Sequence, residues 1–180
     1  MWSADRMQRV SAHEPEPTMR RWHVAAAIIE SDGALLLVEN RRRNGATDWS
    51  TPGGVVEDDE ETLAGLAREV IEETGITVRS WRGPVYKVET VAAGLGWHLN
   101  VEVYEALDWH GELFVDDPDG IVTDARFVPH AQCAPTLHDN AVWVREPICQ
   151  WLAERWIEPQ MFRYEIEGVD RATMVVHRRR

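Results

Sequence analysis

Three glutamates near the middle of the chain have the spacing of a site for a hard divalent cation. Glu69, Glu72 and Glu73 are three and four residues apart, so on a helix their carboxylates are neighbours. Like charges at this spacing repel by about 0.2 to 0.5 kcal/mol per pair on an exposed helix, and by more where burial favours the neutral forms. Mg²⁺ or Mn²⁺, which prefer oxygen ligands, would reverse that penalty. The spacing therefore indicates metal chemistry; the alternative is a solvated face on which Arg68 pairs with Glu72.

The residues around these glutamates complete a long, gapped pattern. From Gly54 to Ile76 the chain reads GVVEDDEETLAGLAREVIEETGI, with Glu60 and Gly75 at fixed offsets from the glutamates. This resembles the signature of the Nudix hydrolases, G-x5-E-x7-R-E-U-x-E-E-x-G-U with U aliphatic, and no fixed position is missing. We call residues 54–76 the Nudix box. The resemblance implies an α/β (α+β) fold with a mixed β-sheet sandwiched between α-helices.

The resemblance also assigns roles to individual residues, and Mg²⁺ or Mn²⁺ is the implied cofactor. Those given a metal-binding role are Gly53 (through its carbonyl), Glu69, Glu72 and Glu73, and the three glutamates are also the expected catalytic residues. The residues expected to hold the loop against the helix, without binding the metal themselves, are Gly54, Glu60 and Arg68.

The implied reaction is hydrolysis of a diphosphate bond in a nucleoside diphosphate linked to another moiety. Metal would neutralise the diphosphate and lower the pKa of a bound water for in-line attack. Glu69 is the first candidate for the base that takes the water proton. A carboxylate on a later loop is the alternative, although these aspartates also suit a surface turn around Pro118. The loop candidates are Asp116, Asp117, Asp119 and Asp124.

The substrate is less well marked than the reaction. In the resembled family a downstream proline marks many ADP-ribose hydrolases and a tyrosine marks dinucleoside polyphosphate hydrolases, but Pro84 and Tyr86 lie closer to Ile76 than those marks. We expect ADP-ribose or a nucleotide sugar. The alternatives are a nucleoside triphosphate pyrophosphohydrolase that cleans the nucleotide pool, and a non-catalytic Nudix-fold nucleotide-binding regulator.

Three residues outside the box are candidates for substrate contacts. Arg41 belongs to the basic run before the box and could meet a phosphate, whereas a solvated loop is the alternative. Trp49 and Trp97 could stack on a base, whereas core packing is the alternative. His98 is expected near the site at most.

Composition bounds the class of protein and its partners. A chain of 180 residues suits one domain, and a net charge of -12 argues against binding duplex nucleic acid. No segment suits a membrane span or a signal peptide, so we expect a cytoplasmic protein with a small nucleotide as its partner, and a homodimer is left open. Cys133 and Cys149 are expected to be reduced thiols in the core.

The pattern of apolar residues places these candidates on elements. Leu63, Leu66, Ala67, Val70 and Ile71 predict one core-facing stripe on a helix from Thr62 to Thr74, with Gly75 ending it. Strands are predicted on both sides of Asp32-Gly33, at 78–81, 85–90, 97–104 and 125–128, and a last helix at about 139–156 with a kink or break at Pro147. The predicted divisions are a flexible arm at 1–20, a Nudix domain at 21–158, and an extension at 159–180 with a β-hairpin and a basic tail.

Overall fold

A computed structural model describes residues 19–170 and 173–180. The expected arm at 1–20 therefore lies outside the described residues up to position 18, and the first strand already begins at Arg20. The strands are β1 (Arg20–Ile28), β2 (Glu30–Ser31), β3 (Ala34–Arg41), β4 (Thr47–Ser50), β5 (Gly53–Val55), β6 (Thr77–Ala92), β7 (Trp97–His110), β8 (Val122–Pro129), β9 (Gln160–Glu167) and β10 (Val175–Arg179). The α-helices are α1 (Thr62–Thr74), α2 (His130–Thr136) and α3 (Val142–Glu154).

The strands form two sheets. The larger has the order β10-β9-β6-β7-β1-β5, in which β1 is parallel to β7, β6 is parallel to β9, and the other pairs are antiparallel. In the smaller sheet β3 is central and pairs with β2, β4 and β8. The mixed sheet is as expected, but the strands divide into two sheets because β3 pairs with β8 rather than with β1.

Two hydrophobic cores lie on opposite sides of the larger sheet. Alternate residues of β1 face the two cores, with Ala25 and Ala27 on one side and Ala26 and Ile28 on the other. Helix α1 covers the first side through Leu66 and Val70, whereas α2 and α3 cover the second side. The fold therefore confirms a mixed sheet between helices.

Helix α1 has the predicted ends, but its buried face is turned relative to the prediction. Gly75 adopts a left-handed φ of 73°, and its N–H donates to the Ile71 carbonyl over 2.8 Å, which closes the helix. Leu66 and Val70 are buried as predicted, whereas Leu63 and Ile71 are exposed and Glu73 is buried instead. The buried face is therefore turned from the predicted apolar stripe towards the glutamates.

Other elements also differ from the predictions. The two strands predicted at 78–81 and 85–90 are one strand, β6, whose register shifts around Gly83 instead of breaking. Helix α2 was not predicted, because seven residues that include Pro135 carry too little periodicity. Pro147 lies inside α3 without ending it. The C-terminal segment forms the hairpin of β9 and β10, and β9 joins the sheet of the same chain beside β6.

Two further observations concern the described residues as a whole. Among 19–170 and 173–180, no helix is long and apolar enough to span a membrane. Cys133 is buried, Cys149 is half-buried, and both thiols are free.

Candidate active site

Two glycines let β5 approach two different neighbours closely. Strand β5 pairs with β1, and a Cβ on Gly53 would lie 2.2 Å from the Ala25 carbonyl oxygen. A Cβ on Gly54 would lie 2.4 Å from Cδ of Glu69. The missing side chain of Gly53 therefore makes room for β1, and that of Gly54 makes room for the Glu69 carboxylate.

Glu73 is the most buried of the three glutamates. Its Oε2 accepts a hydrogen bond from the Gly53 N–H over 2.7 Å. Burial raises the pKa of Glu73 to about 8, with neighbouring carboxylates adding to the shift and the Gly53 hydrogen bond opposing it. Burial likewise raises the pKa of Glu69, while Arg68 opposes that shift. Both carboxylates are therefore costly to ionise, mainly because they are buried, and the neighbouring carboxylates add to that cost.

Arg68 holds three glutamates at once. Its Nε and Nη2 donate to the two carboxylate oxygens of Glu60, each over 3.1 Å, and its Nη1 donates to Glu69 over 2.9 Å and to Glu72 over 3.2 Å. The bonds to Glu60 lower the pKa of that carboxyl. Gly65 makes room for this contact, because a Cβ there would lie 2.6 Å from Glu60 Oε2. The structure therefore shows both the expected link of Glu60 to Arg68 and the alternative pairing of Arg68 with Glu72.

The oxygen-rich donor set suits a hard cation, although its members are already engaged. Among residues 19–170 and 173–180, no three His, Cys, Asp or Glu side chains are already arranged as a metal site. Arg68 and the Gly53 amide occupy carboxylate oxygens that a metal would need. The residues that fit Mg²⁺ or Mn²⁺ by chemistry are Glu69, Glu72, Glu73 and the Gly53 carbonyl, and the raised pKa values of Glu69 and Glu73 are what a divalent cation would offset.

A cavity of about 490 Å³ opens beside the glutamates. Glu69, Glu73, Gly53 and Gly54 line one end of it. The rest is largely apolar, with walls from β1, β6, β7 and α3. The apolar lining residues on these four elements are Val24, Ala26, Tyr86, Val88, Leu99, Val101, Val103, Trp143, Val144 and Ile148. The site therefore joins an acidic end to an apolar chamber of the size that small ligands occupy.

The loop before β8 brings two aspartates to the same cavity. The Asp116 N–H donates to the Glu72 carbonyl over 3.1 Å, which fixes the loop against α1. Asp117 organises the loop by accepting from three backbone N–H groups, those of Asp119, Ile121 and Val122. Asp119 lines the cavity as well. Of the four candidate loop carboxylates, Asp117 and Asp119 therefore line the cavity, whereas Asp116 and Asp124 do not.

The structure does not bring the expected substrate contacts to the cavity. Arg41 lies in a neighbouring exposed groove and donates to the Gly120 carbonyl over 3.4 Å. Trp49 is partly buried, and the Arg126 guanidinium covers its ring at 4.1 Å. Trp97 reaches the cavity only indirectly, through a ring contact with Trp143 at 6.1 Å.

Other residues occupy the places that these three were expected to fill. Arg42 lines both the cavity and the groove and pairs with Asp48. Trp143 supplies an aromatic wall that sequence reasoning missed, because its position is set by the packing of α3. Tyr86 lines the cavity, while His98 does not and bonds instead to Glu89 over 3.1 Å.

Comparisons with known proteins find similar sequences and structures. Residues 19–152 match the family model of the NUDIX domain. A MutT-like protein of Streptomyces ambofaciens is 47% identical over 62 residues, which are 34% of this chain and 38% of that protein, so the match spans well under half of the relative. The CTP pyrophosphohydrolase of Escherichia coli strain K12 is 34% identical over 107 residues, 58% of this chain and 76% of that enzyme. The crystal structure of a MutT NUDIX hydrolase from Burkholderia pseudomallei is 28% identical, with a TM-score of 0.55 over 62% of this chain and 85% of that one.

Proposed function

The chain belongs to the Nudix family of pyrophosphohydrolases, and from this premise we propose that it uses a divalent metal to hydrolyse the diphosphate bond of a nucleoside diphosphate linked to another moiety. The observation that carries the proposal is the meeting of Glu69 and Glu73 with the apolar end of one cavity. A ligand with a flat apolar part and a diphosphate has the chemistry of both ends of that cavity.

Each residue of the site has its own role in the proposed reaction. Mg²⁺ or Mn²⁺, when bound, supplies charge neutralisation and an acidified water. Glu69, Glu72 and Glu73 hold the cation against the loop at Gly53. Arg68 keeps Glu69 and Glu72 on the same side of α1 and is itself held by Glu60. Glu69 and Asp119 are the two carboxylates with access to the cavity that we propose as candidates for accepting the water proton.

The apolar chamber suits a nucleobase. Trp143 is partly buried and offers aromatic surface, whereas Tyr86 in the same lining is only 2% exposed. Aromatic stacking on a base contributes about 1 to 3 kcal/mol. Asn40, Ser50 and Asn140 add a few polar groups to the lining. Such a mixture of apolar walls and sparse polar groups is typical of small-molecule sites.

The moiety beyond the diphosphate separates two candidate functions. ADP-ribose or a nucleotide sugar remains our proposal from the sequence. A nucleoside triphosphate is favoured by one specific observation, the exposed groove that continues the cavity past Arg42. Arg41 and Arg43 line that groove, and Arg43 has no hydrogen bond or ion pair with the described residues. The guanidinium group of Arg43 would therefore suit a further phosphate. The relative named CTP pyrophosphohydrolase favours the same candidate.

A panel assay separates these candidates. Purified protein is incubated with Mg²⁺ or Mn²⁺ and with ADP-ribose, nucleotide sugars, dinucleoside polyphosphates, and ordinary or oxidised nucleoside triphosphates, and products are identified by mass. Metal-dependent release of a nucleoside monophosphate is expected from at least one substrate. Pyrophosphate as the second product identifies a triphosphate substrate, whereas a sugar phosphate identifies a nucleotide sugar or ADP-ribose. No turnover, together with ligand-induced thermal stabilisation, would favour a nucleotide-binding regulator instead.

A further inference from the structure

We propose that the C-terminal hairpin of β9 and β10 positions the wall of the substrate cavity, and that it acts through Glu146 of α3. The proposal rests on the proposed function in taking the cavity as the substrate site. It assigns positioning roles to Tyr164 and Arg178, neither of which lines the cavity.

Both strands of the hairpin bind the same carboxylate. The Tyr164 hydroxyl of β9 donates to Glu146 Oε2 over 2.7 Å, and Arg178 Nη1 of β10 donates to Glu146 Oε1 over 2.6 Å. Gln150, one turn further along α3, donates to the same Oε1 over 3.2 Å. Tyr164 is 2% exposed, so its hydroxyl would be costly to leave without a partner. We call Glu146, Tyr164 and Arg178 the α3 tie.

Helix α3 needs such a tie because of its own sequence. Pro147 has no N–H to donate to the carbonyl of Trp143, four residues earlier. The first turn of α3 is therefore held less firmly by hydrogen bonds within the helix than an ordinary turn is. Glu146 lies directly before this proline, at the point where an external contact can replace the missing bond.

That first turn forms part of the cavity wall. Trp143 and Val144 line the cavity, as does Ile148 one turn later. A displacement of Glu146 would move these side chains, because they lie within about one turn of it on the same helix. Helix α1, which carries the glutamates, packs through Leu66 and Val70 against the opposite core, so we expect the change to be confined mainly to the α3 side of the cavity.

The hairpin also supports a second wall. Strand β9 pairs in parallel with β6 from Tyr86 to Val91, and the ring of Phe162 packs edge-on against Tyr86 with 5.8 Å between centroids. Tyr86 and Val88 line the cavity. The residues that match the family model end at 152, so the whole hairpin lies beyond that match. It is therefore a feature of this chain that bears on two walls of the cavity.

The test removes the tie while keeping the fold. R178Q and the double variant Y164F/R178Q are compared with wild type for kcat and KM on the substrate found in the panel, and for hydrogen exchange of unliganded α3 in peptides covering 142–150. We expect KM to rise about five- to tenfold in the double variant, because it loses two hydrogen bonds to the charged Glu146 carboxylate. The kcat should change by less than about twofold. Exchange in α3 should become about tenfold faster, because local opening costs less free energy.

The chain provides a matched control on the same strand. Arg179 follows Arg178 and is similarly exposed, but it pairs with Glu165 of the hairpin and not with α3. R179Q should leave KM and exchange in α3 at wild-type values. R178K keeps the positive charge, so its KM should be close to that of wild type.

The outcomes are separable from failure of the proposed function. Exchange in α3 that is unchanged in both tie variants, or equally raised by R179Q, would overturn the proposal. Faster exchange with an unchanged KM would also overturn it, because the tie would then not reach the cavity. If wild type turns over no member of the panel, the proposed function fails, whereas exchange still decides whether the tie holds α3. Should the double variant unfold, R178Q alone gives the same comparison.

Discussion

The backbone N–H of Gly53 donates to Glu73 Oε2 over 2.7 Å, so strand β5 and the last turn of α1 meet at one buried carboxylate. This hydrogen bond holds the Gly53 backbone close to the glutamates of α1. Any ligand that bridges β5 and α1 meets oxygen atoms whose separation is already set.

The first prediction concerns the box carboxylates themselves. E72Q/E73Q should lower metal-dependent turnover by at least about a hundredfold, because metal-held charge stabilisation contributes several kcal/mol to the transition state. The fold should persist, since a glutamine at position 73 can still accept from Gly53. Turnover is measured with Mg²⁺ and after its removal with EDTA, and folding by circular dichroism. E61Q is the control, because Glu61 lies directly before α1 and makes no side-chain cap. Wild-type rates in the double variant would refute the site.

The second prediction contrasts the two adjacent glycines. G54A should reduce activity with little loss of stability, because its Cβ would meet the flexible Glu69 side chain. G53A should destabilise the protein by about 2 kcal/mol or more, because it combines a φ of 143° with a clash against backbone. Urea unfolding and kcat are measured for both variants. Equal loss of stability in the two would show that Gly54 is needed for the fold rather than for placing Glu69.

The third prediction separates the loop aspartates. D119N should lower kcat about ten- to a hundredfold if Asp119 accepts the water proton, in line with the usual contribution of a general base. D124N is the matched control, since Asp124 lies on β8 and does not line the cavity. The pH profile of kcat is recorded for both. A D119N enzyme with wild-type kcat would leave Glu69 as the base.

The fourth prediction is a dependence of stability on pH in metal-free protein. The pKa of Glu73 is about 8 in the folded protein, against 4.5 for an unperturbed glutamate. Between these two pH values the folded state therefore holds a proton that the unfolded state has lost. The contribution of protonated Glu73 to the free energy of unfolding is fully present below about pH 4.5 and is lost as pH rises towards about 8. The total loss is on the order of 2 to 4 kcal/mol.

E73Q removes this titration and serves as the comparison. In EDTA, the free energy of unfolding of wild type should fall relative to E73Q between about pH 5 and about pH 8.5, as the carboxylate ionises in its buried position. Urea unfolding at several pH values measures the difference. A constant difference across this range would mean that Glu73 ionises without cost.

The Nudix box could be predicted from the sequence because the residues that define it and its helix lie within one short segment. Helix α1 begins at Thr62 and ends at Thr74 as predicted, since the apolar period and Gly75 lie within one segment. The orientation of that helix was predicted less well. The burial of Glu73 involves a hydrogen bond from Gly53, which lies twenty residues away in the sequence, so the apolar period of the helix alone could not predict it.

The walls of the cavity could not be predicted in the same way. Nearness to the box makes Trp49 a candidate for stacking on a base, but β8 brings Arg126 over its ring. Trp143 reaches the cavity because α3 packs across the sheet, a contact between distant segments. Arg41 and Arg42 are neighbours, yet only Arg42 lines the cavity, because the side chains of successive residues point to opposite sides near the end of a strand.

The order of the larger sheet has a consequence for association between copies of the chain. Its two outer strands are β5, only three residues long, and β10, which carries a histidine and arginines up to Arg179. Short strands and dense positive charge are the means by which proteins prevent sheets from extending into a neighbouring molecule. The C-terminal hairpin therefore places a charged strand at one edge of the sheet, and backbone pairing of this sheet with a second copy of the chain is disfavoured at both edges.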